Sequence, residues 1–173
     1  MGQHAHNATI SEWAGGQSPY AISSKKLGMW LFIVSDSLTF TALLLAYTYV
    51  RIGSVDWPRP FEVASIAMAS VMTFCLLSSS LTMVMAVAAA HRGDKSATTK
   101  WLMGTIAGGL AFIILHAKEW AELIHHGVTP FGNPWGSPLF GASFFALTGL
   151  HMTHVTAGVI YLGIITWGFK NGR

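Results

Sequence analysis

Apolar residues run along this chain in four long stretches, each bounded by short polar or proline-bearing segments. The first stretch covers Leu27 to Val50, the second about Phe61 to Ala90, the third Trp101 to about Ile124, and the fourth about Leu139 to Phe169. Each is near or above the roughly 20 residues that an α-helix needs to cross a bilayer. The longer ones leave room for tilt or for projection beyond the hydrocarbon. Pro58, Pro60, Pro130, Pro134 and Pro138 all fall between stretches, where they break no helix. The pattern therefore predicts an all-α, polytopic membrane bundle with four transmembrane helices. Residues 1–26 form a polar tail and residues 27–173 one membrane domain.

Composition agrees with the pattern. Of 173 residues, 52% are hydrophobic and only 10% are charged, against about 25% charged in a soluble domain. Mean hydropathy is +0.49. One cysteine, Cys75, lies inside an apolar stretch, so no disulfide framework is expected. The net charge of +3 does not point to nucleic acid, because the basic residues stand singly or in pairs at the ends of the stretches. Lys25, Lys26, Arg92, Lys95, Lys100, Lys170 and Arg173 gather on one side, and Arg51, Arg59 and Lys118 on the other. That asymmetry places both termini in the cytoplasm. The first 24 residues hold no apolar run of the kind a signal peptide needs. His4 and His6 sit in that polar tail, where solvent exposure is the simpler reading than metal binding.

Polar residues inside the apolar stretches carry the chemistry. Asp36 stands about 14 Å along the helix from Leu27, at mid-membrane. A carboxylate there is expensive unless it faces protein or holds a proton. The sequence "LLSSSLT" in the second stretch offers small hydroxylic residues for close packing, as do Gly104 and Gly108 in the third. Also in the third, His116 and Glu119 share a face, and Lys118 and Glu122 have the spacing of an ion pair. His125 and His126 fall in the outer loop. In the fourth, His151 and His154 share a face amid Thr148, Gly149, Thr153, Thr156 and Gly158. A metal or haem could draw on His116, Glu119, His151 and His154. The order His-x-x-Glu and His-x-x-His, however, is not the repeated Glu-x-x-His of di-iron bundles.

The ordered set of motifs resembles subunit III of the haem-copper respiratory oxidases, in its short bacterial form. Trp30 to Asp36 match W-(L/F)-F-x-x-S-(E/D), and Leu76 to Thr82 match L-L-x-S-S-x-T. Gly109 to Trp120 match a G-x-x-F pattern that ends in E-(Y/W). Gly141 to Gly158 match the T-G-x-H-x-x-H-V pattern, with Ala142-Ser143 in place of the family's Gly-Ser. The resemblance implies a non-catalytic subunit of a proton-pumping terminal oxidase that reduces oxygen to water in a bacterial inner membrane. It implies no redox centre or catalytic residue in this chain, with haem and copper held by partner subunits I and II, and with phospholipid bound. Asp36, His116, Glu119, His151 and His154 become intramembrane polar or lipid-associated positions rather than ligands. His116 stands where the family commonly has Gln. The family's last helix, with its Trp-His-Phe-x-Asp pattern, has no counterpart here, so a helix from another subunit or lipid head groups are expected to cover the polar face. Rival readings are an accessory protein of nitric oxide reductase, a small membrane haem or metal protein, and a proton-coupled transporter.

Overall fold

A computed structural model describes residues 24–58, 63–134 and 136–170. The tail histidines His4 and His6, together with Arg59 and Trp135, lie outside the described residues. Four helices follow in order: α1 (Ser24–Gly53), α2 (Val63–His91), α3 (Lys95–His125) and α4 (Leu139–Lys170). All four are long and apolar enough to cross a membrane. The chain divides into two compact units, Met1–Ala42 and Leu43–Arg173.

The described part of the first unit is the N-terminal portion of α1, and no residue of α1 is buried. Its hydroxyls turn inward on the helix itself. Ser35 Oγ donates to Phe32 O at 2.9 Å, and Ser37 Oγ to Ile33 O at 2.8 Å. That local bonding satisfies polar groups without a neighbour, as an apolar surround requires. Leu31, Phe32, Leu38 and Leu45 present their side chains outward.

In the second unit α3 is the central helix. Among the described residues α2 and α4 both pack on α3 and not on one another. Small residues let α2 approach. A β-carbon on Gly108 would lie 2.9 Å from Ser79 Cβ and 3.3 Å from the Cys75 carbonyl oxygen, and Gly104 faces Thr82. Ser79 Oγ donates to Thr105 O at 3.1 Å, and the Thr82 and Thr105 hydroxyls meet at 2.8 Å. The serine-rich run thus does what its composition implies, although Ser80 itself is exposed.

Helix α3 begins six residues earlier than its apolar stretch, because Asp94 caps it. The Asp94 carboxylate accepts from Ala97 N at 2.9 Å. That cap holds the polar run Lys95–Lys100 in two helical turns ahead of the hydrocarbon-type sequence. Asp94→Ala should destabilise the α2–α3 connection by about 1 kcal/mol, and Asp94→Ser by much less. Unfolding of the solubilised protein against a denaturing detergent measures this; equal midpoints for the two variants would refute the capping role.

At the opposite end of α3 sits the apolar core, built from Leu123, Val128, Phe140 and Phe145 with Trp57, Trp120 and Phe144 against it. Phe140 and Val128 are fully enclosed. Trp57 meets Tyr47 and Phe140 edge-on, at centroid distances of 5.5 and 5.4 Å. Ser137 N donates to the Asp56 carbonyl at 3.1 Å, which joins the α1–α2 and α3–α4 connections. This anchored end fixes the register at which α4 leaves the loop, and hence where His151 comes to rest against α3.

Candidate functional site: a groove between three helices

Phe112, His116 and Trp120 recur every fourth position on α3, so they form one stripe along the helix. The His116 ring lies flat on Phe112, with centroids 5.4 Å apart and planes 10° apart, and it tilts against Trp120 at 5.7 Å. Across from α3, the His151 ring meets the edge of Phe112 at 5.5 Å. Trp120 Nε1 donates to Thr148 Oγ1 at 3.2 Å, and Gly149 leaves the room that the Trp120 ring occupies. These contacts seat α4 on α3 and hold His116 between aromatic rings.

His116 is only 5% exposed, deeper than any other histidine described. Its Nδ1 is 3.3 Å from Glu119 Oε2, one helical turn on. The approach is close but poorly aligned, and neither ring nitrogen makes a hydrogen bond. A buried polar atom left so costs about 1–3 kcal/mol. The arrangement replaces part of the sequence expectation: Lys118 and Glu122 are both exposed and form no ion pair among the described residues.

His116, Glu119 and His151 line a groove of about 570 Å³, to which α2 contributes Ser70 and Thr73 among others. The hydroxyls in it are already committed. Ser70 Oγ donates to Ile66 O, Thr73 Oγ1 to Ala69 O, and Thr148 Oγ1 to Phe144 O. Apolar surface from Met72, Leu76, Phe112 and Phe144 makes up much of the rest.

Of the residues singled out in the sequence, the structure thus brings His116, Glu119 and His151 together. His154 does not line the groove; its Nδ1 is 2.9 Å from Leu150 O within α4. Asp36 is half-buried on α1 in the first unit, whereas the groove is built wholly from the second. His125 ends α3 and His126 caps it, both exposed. Gly158, grouped above with the packing residues, faces open space. Among the described residues, no cluster of three or more His, Cys, Asp or Glu side chains is close enough to hold a metal ion. Phe112, which lines the groove, and Trp120, which bonds to Thr148, are contacts of His116 that the sequence reading gave no role. The four-residue spacing of Phe112, His116 and Trp120 was the available signal.

The chain is similar to known proteins. The family model for cytochrome c oxidase subunit III matches residues 6–172. The chain belongs to this family. Subunit 3 of cytochrome c oxidase from Corynebacterium diphtheriae is 32% identical over 142 residues, covering 80% of this chain and 67% of the relative. The corresponding subunit from Alkalihalophilus pseudofirmus is 29% identical over 142 residues, with 82% and 67% covered. Subunit 3 of the cytochrome bo(3) ubiquinol oxidase from Pseudomonas putida is 31% identical over 141 residues, with 82% and 66% covered. This subunit III chain therefore spans about two thirds of the length of those relatives. The range matched by the family model contains α1 to α4.

Proposed function

We propose that this chain serves as the non-catalytic third subunit of a proton-pumping haem-copper terminal oxidase, embedded in a bacterial inner membrane with both termini cytoplasmic. The carrying observation is the family match over residues 6–172. In this reading the redox centres lie in partner subunits I and II. Relatives of similar identity are named for cytochrome c oxidases and for quinol oxidases alike. The features shared with this subunit therefore do not track the electron donor.

In this reading the outward apolar faces meet subunit I, lipid, or a helix of another subunit. Asp36 sits among them as a mid-membrane polar group, and phospholipid contributes to covering polar positions such as His154. The test is affinity purification of the tagged chain from its native membrane in mild detergent. Subunits I and II should co-purify with oxygen-consuming activity, and the haem and copper should follow subunits I and II when the tagged chain is stripped away. Recovery of the chain alone, or of a stoichiometric haem on the stripped chain, would overturn the proposal.

A further inference from the structure

His116 is the one described side chain whose two ring nitrogens are both buried and without a hydrogen bond. It lines the groove together with Glu119 and His151. We propose that the groove binds a small cluster of water molecules, which bridges these three side chains within the membrane-spanning part of the bundle. The inference rests on the groove's own residues and goes beyond the reading of the chain as an oxidase subunit.

The protonation chemistry of the pair selects the ligand. His116 Nδ1 and Glu119 Oε2 face each other at 3.3 Å on a helix long and apolar enough to cross a membrane. A net charge at such a place is costly, so the pair is stable when it is neutral as a whole. Neutrality takes several forms. A carboxylate can face an imidazolium, which donates from both nitrogens. A carboxylic acid can donate to Nδ1, which leaves the ring hydrogen on Nε2. The acid can instead accept from Nδ1–H, which leaves Nε2 a bare acceptor. Nε2 thus donates in some forms and accepts in another, and the Glu119 carboxyl changes in step. A carbonyl, an ammonium group or a hydrocarbon chain satisfies only part of this set. Water, which donates and accepts at the same atom, fits every form.

The lining supports such a cluster. A buried water needs about two to four polar partners. Here α3 supplies His116 and Glu119, and α4 supplies His151. From α2 come the oxygens of Ser70 and Thr73, which keep lone pairs after their hydrogens have gone to Ile66 O and Ala69 O. Among the described residues, no further titratable or charged side chain lines the groove. Its volume of about 570 Å³ exceeds many times over the roughly 30 Å³ that one water takes in the liquid. Met72, Leu76, Phe112 and Phe144 wall much of that space and offer no hydrogen bond, so the water gathers at the histidines. In the present packing the His116 nitrogens are covered. A turn of the imidazole on Phe112, or a small outward movement of α2, brings them into reach. α2 and α4 do not pack on each other, so the movement breaks no contact between those two helices.

The test is hydroxyl-radical footprinting of the complex that co-purifies with the chain, held in lipid nanodiscs in ¹⁸O-labelled water. A millisecond X-ray pulse makes radicals from bound as well as bulk water, and bound water oxidises the side chains beside it. Phe112 lines the groove and Phe145 does not, yet both are 6% exposed and carry the same reactive ring. The expected result is ¹⁸O incorporation at Phe112, while Phe145 stays unmodified. His116→Phe, which removes both ring nitrogens, should abolish the Phe112 label. If that variant fails to assemble, Ala69→Phe, which fills the groove from α2, should abolish the label instead. A Phe112 label no greater than that of Phe145 means a groove closed to water, whether by lipid or by side chains, and overturns the proposal. So does a Phe112 label that persists undiminished in the assembled variant.

Discussion

Gly141→Val should leave almost no assembled protein in the membrane. Gly141 is buried in the first turn of α4, and a β-carbon there would collide with the carbonyl oxygen of Thr129. That oxygen belongs to a tight loop in which Thr129 N donates to Gly132 O at 2.8 Å. The obstacle is backbone, so no rotamer change relieves it. Either the loop or α4 must shift, and Phe140 and Val128 lose the enclosure that makes this end of the bundle rigid. Overpacking of a fixed site typically costs about 1–3 kcal/mol and more when backbone is displaced, enough to remove much of a marginal stability. Gly158→Val in the same helix is the control, since nothing lies within 4 Å of a β-carbon there. The amounts of each variant recovered with its partners after mild solubilisation decide the matter. Equal recovery of the two would remove the steric argument.

The second large effect is expected at the α2–α3 seam. Gly108→Leu places a branched side chain where a first carbon already comes within 2.9 Å of Ser79 Cβ and 3.3 Å of the Cys75 carbonyl. Separation of the helices also breaks the Ser79–Thr105 and Thr82–Thr105 hydrogen bonds. Within a bilayer, such close packing and hydroxyl contacts are the main source of helix association, because lipid already solvates apolar side chains. We expect a loss of about 2–4 kcal/mol, from overpacking together with two hydrogen bonds. Gly104→Ala should be nearly neutral, as its β-carbon would make an ordinary 3.5 Å contact with Thr82. Denaturing-detergent titration of the two variants against native protein separates these outcomes. A Gly108→Leu midpoint equal to that of Gly104→Ala would show that the seam is not held by close approach.

The helices were legible in the sequence because membrane crossing imposes a length and a composition, and both can be read without knowing any contact. Their ends were less so. Helix α3 starts at Lys95, inside a segment that hydropathy assigns to the connection, because a single capping carboxylate outweighs the polarity of the next six residues. The site was half legible. A histidine or acid in an apolar stretch announces itself, so His116, Glu119 and His151 stood out at once. Which of them meet depends on the angle at which α4 leaves its loop, and no spacing within one helix encodes that. Lys118 and Glu122 have the spacing of a pair but are both exposed and do not meet, because spacing allows contact without holding two long side chains together. Thr148 was legible only as a packing residue and Trp120 was given no role, because an aromatic residue and a threonine in an apolar stretch resemble ordinary packing until one is seen donating a hydrogen bond to the other.

The unequal way in which α3 holds its two neighbours has a bearing on how the chain is made. α2 and α3 are joined by three residues and share a seam of small side chains and hydroxyls, so they can pair as a hairpin while they are still leaving the ribosome. α4 arrives later, after a longer connection, and meets α3 through aromatic contacts such as Trp120–Phe145 and Phe112–His151 and through Val159 at Gly109. Synthesis therefore delivers an early, self-sufficient hairpin and a late helix whose docking depends on the loop around Thr129 having closed. A fault in that loop would free α4 from α3 while leaving the α2–α3 seam of small residues and hydroxyls in place.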